Sequence, residues 1–223
     1  MTQKRWVKWL VSMGVILAAA VVLASAGGAG SASAAGLRET AAGADKFNFI
    51  SIPLDASSAI SPFKASGLAA YHGSSVRQVL SWDATNQRML SYAPGVSPLF
   101  ADFSLAVGGA YFLVLDSSST STFSIVGSVP DPGTVSFTLA KGASTVACKF
   151  NAISIPLDST GISTAAELAS DMGGVLQVIS WDATNQQIIS YAPGSSPPFA
   201  NFAVHIGYPY LVCVNSAGPS SWP

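Results

Sequence analysis

Hydrophobic and polar residues alternate along residues 47–54, in the triplets Phe-Asn-Phe and Ile-Ser-Ile. This period of two predicts a half-buried strand, which the proline at the far end terminates. Residues 150–157 repeat the pattern, with Phe-Asn-Ala and Ile-Ser-Ile before the same Pro-Leu pair. The chain therefore contains the same predicted strand twice.

A second repeated segment has the composition of a β-hairpin. Residues 76–82 and 88–92 are predicted strands that flank the turn sequence Asp-Ala-Thr-Asn-Gln, and residues 81–87 recur letter for letter as residues 180–186. The Asp carboxylate can accept backbone N–H groups in such a turn, and we expect the Asn to adopt its left-handed conformation. The hairpin is the strongest local structural prediction.

Small residues between the strand and the hairpin predict one short helix in each copy. In the second copy Ser163 is the expected N-cap and Gly173 the expected end. In the first copy Gly67 weakens the corresponding prediction. After the hairpin, residues 103–107 and 110–115 predict a last common strand that is interrupted at Gly108.

These elements predict a mainly β fold made of two tandem antiparallel β-sheet or sandwich modules, each with one short helix. The modules comprise residues 35–128 and 135–223, and a Pro/Gly linker joins them at residues 129–134. The repeat is as long as a small domain, which distinguishes it from the short units of a solenoid.

Residues 1–34 are typical of a secretory signal peptide. Basic residues precede an apolar run at residues 10–23, and cleavage is expected after Ala34, with Ala26 as the alternative. An uncleaved anchor is the competing interpretation, although a membrane span needs about 20 apolar residues. We therefore expect a secreted, extracellular or cell-surface protein with no membrane span after cleavage.

Charge argues against nucleic acid as a partner. Residues 35–223 hold seven Lys and Arg against eleven Asp and Glu, without a basic cluster. Both cysteines, Cys148 and Cys213, lie in the second copy, and in an exported chain we expect them to form a disulfide. Two independent buried thiols are the alternative.

The candidate ligand-binding residues are aromatic and acidic side chains that recur in both copies. An aromatic ring beside a carboxylate can stack on a sugar and hydrogen-bond to it, but the same residue types also shape a hairpin turn. The candidates are Trp82, Asp83, Tyr92, Trp181, Asp182 and Tyr191.

Candidate catalytic and metal chemistry is weak. Calcium binding by Asp83, Thr85 and Asn86 would require more carboxylates than one. The two histidines, His72 and His205, do not occupy corresponding positions and belong to no recognisable catalytic motif. We therefore predict a protein that is not an enzyme and has no catalytic residue, no metal site and no cofactor.

The motifs N-x-I-S-I-P-L-D, S-W-D-A-T-N-Q, S-Y-x-P-G and G-x-x-Y recur in this order in both copies, with a short Ala/Leu helix after the first of them, and the whole pattern spans almost all of the chain after residue 34. This pattern resembles a β-rich repeat of secreted and cell-surface bacterial proteins, a family without an assigned activity. The resemblance implies an exported β-rich architecture.

We expect a non-catalytic structural or adhesive role outside the cell or on its surface. Its partner would be an extracellular or cell-surface protein or a glycan. One alternative is a carbohydrate- or ligand-binding module. Another is a self-associating filament subunit that assembles through exposed sheet edges.

Overall fold

The structure, a computed structural model, describes residues 34–41, 45–73, 75–116 and 121–223. It is mainly β and contains two four-stranded antiparallel sheets. One α-helix accompanies each sheet, and one further strand follows each sheet along the chain. The predicted fold class is therefore confirmed. The predicted signal peptide falls on residues 1–33, apart from Ala34, and residues 1–33 lie outside the described part of the chain. Among the described helices, none has the length and apolarity needed to cross a membrane.

The first module forms one four-stranded sheet and one two-stranded ribbon. The sheet order is β2-β5-β3-β4, β1 pairs with β6, and a single 3-10 turn at Leu99–Ala101 lies between β4 and β5. The elements are β1 (Ala34–Ala41), β2 (Phe47–Ser51), α1 (Ala65–His72), β3 (Val76–Asp83), β4 (Arg88–Tyr92), β5 (Ala110–Leu115) and β6 (Ser121–Ser128).

The second module repeats this arrangement. Its sheet order is β8-β11-β9-β10, β7 pairs with β12, and a 3-10 turn at Pro198–Ala200 corresponds to that of the first module. The elements are β7 (Phe137–Thr138), β8 (Cys148–Ser154), α2 (Ala165–Met172), β9 (Val175–Asp182), β10 (Gln187–Tyr191), β11 (Pro209–Asn215) and β12 (Ser221–Trp222).

Each sheet has two apolar faces with different partners. In the first module Leu68 of α1 packs with Leu113 and Ile50 in the core between helix and sheet. Strand residues alternate between faces, so Leu80 and Val114 lie on the opposite face, where they are also buried. That second face contacts the second module, because β5 lies against β8 and β11.

Helix α2 begins one residue later than predicted. Thr164 is its N-cap, since the Thr164 side chain accepts the Glu167 N–H at 3.2 Å and the Glu167 carboxylate accepts the Thr164 N–H at 3.0 Å. The expected cap, Ser163, instead donates both its N–H and its hydroxyl to Glu167. This reciprocal capping box satisfies more end groups than a single Ser cap would. The helix ends at Gly173, as predicted.

Helix α1 forms in spite of Gly67, and the structure gives that glycine a packing role. A Cβ atom at position 67 would lie 1.9 Å from the backbone oxygen of Pro62. Only glycine allows this approach between the helix and the preceding loop. The residue that weakens the helix prediction is therefore required by the tertiary packing.

We expect Gly67→Ala to destabilise the protein by about 2 kcal/mol, although alanine favours a helix by roughly 1 kcal/mol over glycine. Urea denaturation measures the change. Ala70→Gly is the matched control, because residue 70 is exposed in the same helix and reports the helix-propensity contribution alone. A higher urea midpoint for Gly67→Ala would contradict the proposed close contact.

Residues 103–107 do not form the predicted strand. They instead pair with the entry to α1: Leu105 N–H donates to Phe63 O at 3.1 Å, and Ala65 N–H donates to Phe103 O at 2.9 Å. A tight turn with Gly108 at φ +77° follows, and the regular strand starts only at Ala110. The prediction was wrong because apolar alternation does not distinguish strand pairing from pairing with a helix entry.

The tyrosine of the G-x-x-Y motif braces that turn. The Tyr111 hydroxyl accepts the Ala106 N–H at 2.8 Å, and the Tyr210 hydroxyl accepts the His205 N–H at 2.9 Å. Burial raises the pKa of Tyr111 to about 12, so the phenol stays neutral. The same bond therefore fixes the approach to β5 and to β11.

The predicted disulfide is confirmed. Cys148 at the start of β8 bonds to Cys213 in β11, with their Cα atoms 5.3 Å apart. The two strands are neighbours in the second sheet, so the bond crosslinks an existing strand pair. The corresponding positions of the first module hold Asp45 and Val114, which leaves that module without a crosslink.

Candidate functional site at the interface between the modules

The repeated Asp-Ala-Thr-Asn-Gln segment forms a tight turn around its carboxylate. Asp83 accepts the N–H groups of Thr85 at 3.1 Å and Asn86 at 3.0 Å, and the Asn86 side-chain amide donates to its second oxygen at 2.8 Å. Hydrogen bonds from Asn86 hold the pKa of Asp83 below its usual value. The left-handed residue is Gln87, at φ +53°, rather than the expected Asn86.

The second copy of the turn has the same bonds. Asp182 accepts the N–H groups of Thr184 and Asn185, each at 3.0 Å, and the Asn185 side-chain amide at 2.7 Å. These bonds, first of all that from the Asn185 backbone, lower the pKa of Asp182. Gln186 is left-handed at φ +53°. Both carboxylates are therefore engaged within their own turns.

The left-handed conformation directs the glutamine side chains across to the other module. Gln87 accepts the Phe150 N–H at 2.9 Å and donates to Phe150 O at 3.0 Å, and Phe150 belongs to the edge strand β8. Gln186 makes the same pair of bonds with Phe47 of the edge strand β2, at 2.8 Å and 3.0 Å. A side-chain amide thus occupies the place that a neighbouring strand would take at each edge.

The tryptophans make the same reciprocal exchange. Trp82 Nε1–H donates to Phe150 O at 2.7 Å, and Trp181 Nε1–H donates to Phe47 O at 2.8 Å. Both indoles are partly buried, and their only polar atom is already bonded to backbone. The indole N–H groups are therefore already hydrogen-bonded and would not donate to a sugar stacked on either ring.

Further contacts between the modules follow the same exchange. A donor in one module and the residue at the corresponding position of the other module bond to acceptors that also correspond. This is the pattern of an interface with two-fold related halves. Lys149 Nζ donates to Thr85 O at 3.0 Å, Lys46 Nζ to Thr184 O at 3.5 Å, Ser154 Oγ to Gly108 O at 2.7 Å, and Ser51 Oγ to Gly207 O.

Part of the recurring sequence therefore joins the two modules, whereas other recurring residues, such as Tyr92 and Tyr191, pack within their own module. The turn sequence and its distant partner, Lys-Phe-Asn at residues 46–48 and 149–151, are both identical in the two copies. The hairpin residues 88–90 and 187–189, which form neither bond set, differ. The turn was predictable from its sequence, whereas the interface was not predicted; the identity of both segments in the two copies was the signal that could have indicated it.

An apolar pocket of about 300 Å³ opens between the two sheets. Three of its rings pack edge to face: Trp181 lies 6.3 Å from Phe47 and 6.2 Å from Phe112 between centroids. The described residues of its wall, none of them charged, are Phe47, Phe49, Trp82, Met89, Phe112, Ile179, Ser180, Trp181, Ile188 and Leu211. A pocket of this volume is at the small end of the range for ligand sites.

The six candidate ligand-binding residues do not converge. Trp82 and Trp181 line the pocket. Tyr92 packs against the helix-side core of the first module, and Tyr191 packs against that of the second. Asp83 and Asp182 are bonded within the turns described above. Of the six candidates, only the two tryptophans therefore line the same pocket.

Among the described residues, each histidine contacts an aromatic ring, and the Nδ1 atom of His72 also lies 3.4 Å from Ser75 Oγ. His72 stacks on Phe123 with ring centroids 5.1 Å apart, and burial lowers its pKa. His205 contacts the ring of Tyr208. In the part of the chain that the structure describes, no group of three or more His, Cys, Asp and Glu could hold a metal ion.

Each module also exposes an apolar loop tip just after its hairpin. In the first tip Leu99 is 93% and Phe100 92% exposed, beside an exposed Val96. In the second tip Phe199 is 90% exposed. Neither tip was predicted from the sequence, because nothing in the local pattern distinguishes Phe100 from the nearby Phe103, which packs against the core.

The loops that carry the tips are held in place. In the first, Ser97 Oγ accepts the Ala93 N–H at 2.8 Å, and the Asp102 carboxylate accepts both the N–H and the hydroxyl of Ser66 at 2.8 Å. In the second, Ser196 and Asn201 make the corresponding backbone contacts at 2.8 Å and 2.9 Å. The exposed rings are therefore presented on anchored loops.

These two features, the interface pocket and the loop tips, are the sites on which a function can be based. No protein-family model, curated protein or solved structure matches the chain.

Proposed function

We propose that the protein is an exported, non-catalytic structural or adhesive protein that makes its contacts through the two apolar loop tips. The observation that carries this proposal is the near-complete exposure of Phe100 and Phe199 at equivalent places. Export is supported by the predicted signal peptide and by the disulfide, which persists in oxidising surroundings.

A ring held open to water on an anchored loop is suited to contact. Binding costs conformational entropy when flexible side chains and loops become ordered. The hydrogen bonds that Asp102 and Ser97 accept have already ordered the first loop, so less entropy is lost when Phe100 contacts a surface. Two such tips on one chain can engage an extended surface more strongly than either alone.

Attachment to an apolar surface tests this function. Beads coated with the purified full chain settle on a methyl-terminated surface, and the fraction that resists flow is measured. We expect the double variant Phe100→Ser, Phe199→Ser to retain at least about tenfold fewer beads, because burying one Phe contributes roughly 1.5–3 kcal/mol.

Val146→Ser is the matched control for this experiment. Val146 is 87% exposed but lies outside both tips, so we expect attachment of this variant to equal that of the unaltered chain. Equal losses in the control and in the double variant, or no loss in the double variant, would overturn the proposal.

The interface pocket favours a second candidate, a binding protein for a small apolar ligand. Its wall carries no charged group, and the nearby carboxylates and indole N–H groups are engaged, which favours an apolar ligand over a carbohydrate. Binding to a glycan array would support the carbohydrate alternative, whereas saturable tryptophan quenching by an apolar fluorescent probe would support the apolar ligand.

A further inference from the structure

The chain carries both an apolar projection and an apolar recess. Leu99 and Phe100 are the most exposed large apolar side chains of the described residues, and the pocket between the modules is walled almost entirely by apolar side chains. Because Phe100 is open to water, it does not fill the pocket of its own chain. Every copy therefore brings one recess and two free projections, and the first tip, with Val96, Leu99 and Phe100, is the larger of the two.

We propose that Leu99 and Phe100 of one copy insert into the interface pocket of a second copy. This inference rests on the proposed function, because it names the surface that one of the two tips meets. The second tip, with Phe199, stays available for attachment to other surfaces.

Chemistry and charge favour a second copy as the occupant. The pocket has no charged wall residue, and the first tip, at residues 96–100, contains none either, so insertion buries no charge. Residues 35–223, the part expected after cleavage, carry a formal net charge of −4, and salt at physiological concentration screens the repulsion between copies. The pocket volume of about 300 Å³ suits a small group of side chains rather than a whole strand or helix.

The symmetry of this contact differs from that of the interface between the modules. A projection on one face that enters a recess elsewhere gives a heterologous contact, which propagates into open chains unless a rotation closes it. The contact is small, and contacts well below about 1,200 Å² are weak and transient. We therefore expect association near millimolar concentration, or at lower bulk concentration where copies are tethered side by side.

Sedimentation velocity of the full chain, up to about 1 mM, tests the proposal. We expect the mean mass of the unaltered chain to rise with concentration. Phe100→Ser removes the projection and Ile188→Lys places a charge in the recess, and each should weaken association by roughly 30-fold, as for an interface hot spot. Ile188 is exposed at the pocket mouth, so the lysine does not disturb a core.

Matched controls separate this contact from other routes of association. Phe199→Ser alters the equivalent ring of the other tip, and Ile189→Lys places the same charge on the same edge strand but outside the pocket. Both should associate like the unaltered chain. Mixing Phe100→Ser with Ile188→Lys should restore association, but only to one-to-one dimers, since each variant keeps one intact half of the contact.

Three results would overturn the proposal: a monomer at every concentration, equal loss in Phe199→Ser, or loss in Ile189→Lys, which would indicate pairing of sheet edges instead. A fourth contrary result is saturable binding of a small apolar probe with no effect on association, which would assign the pocket to a ligand. Failure here with intact bead attachment rejects the assembly alone, whereas loss of tip-dependent attachment rejects the proposed function.

Discussion

Replacing Gln87 and Gln186 together by alanine is expected to lower the free energy of unfolding by about 4 kcal/mol and to separate the unfolding of the two modules. The two side chains make four hydrogen bonds to the opposite module, and each such bond contributes roughly 1 kcal/mol. Without them the edge strands β2 and β8 lose the groups that cover their backbone at Phe47 and Phe150.

Urea denaturation followed by tryptophan fluorescence and by circular dichroism checks this result. Two transitions, or transitions that differ between the two signals, should replace the single transition of coupled modules. The matched control is the double variant Gln78→Ala, Gln177→Ala. These glutamines also recur in both copies, but each bonds to a serine of its own sheet, at 2.5 Å and 2.6 Å.

We expect the control to unfold in one transition with a smaller loss of stability. If the Gln87 and Gln186 variant also unfolds in one transition at the original midpoint, the amide bonds do not couple the modules. The Gln87 and Gln186 variant should also loosen the packing of the pocket wall, because residues of both sheets form that wall. It should therefore also weaken self-association, which gives a second readout.

Replacing Cys148 and Cys213 together by serine is expected to cost about 4 kcal/mol, because the bond closes a loop across 65 positions and restrains the unfolded chain. The loss should be concentrated in the second module, since both cysteines lie there. However, β8 also carries the Phe150 backbone that Gln87 and Trp82 bind, so loosening β8 weakens the interface as well.

Denaturation with and without a thiol reductant checks this second result. Reductant should lower the midpoint of the unaltered chain to that of the serine variant and should leave the variant unchanged. If the serine variant instead has the same midpoint as the unaltered, oxidised chain, the prediction is wrong. Strand pairing between β8 and β11 would then restrain this part of the chain without the disulfide.

Local physical chemistry accounts for the parts of the fold that were predictable. The alternation in residues 47–54 arises from one strand, and the Asp83 turn arises from bonds that reach only three residues along the chain. The disulfide was predictable because both cysteines belong to the same copy of an exported repeat. The end of α2 at Gly173 follows from the conformational freedom of glycine at a helix end.

The errors arise where two distant segments meet. Residues 103–107 have the composition of a strand, but their backbone pairs with the entry to α1. Gly67 disfavours a helix by itself, and only the proximity of Pro62 makes it necessary. The N-cap is Thr164 and not the predicted Ser163, because Glu167 stands three residues after Thr164 and forms the capping box with it.

By itself, the sequence determined two β-rich modules, the repeated turn and the pairing of the two cysteines, because these depend on periodicity, turn chemistry and comparison of the copies. Only the tertiary structure decided that Gln87 bonds to Phe150, 63 positions away, and that Phe100 is exposed whereas Phe103 is packed. The physical reason is that docking one sheet face on another creates the bonds, the pocket and the exposure together, and no local pattern encodes that docking.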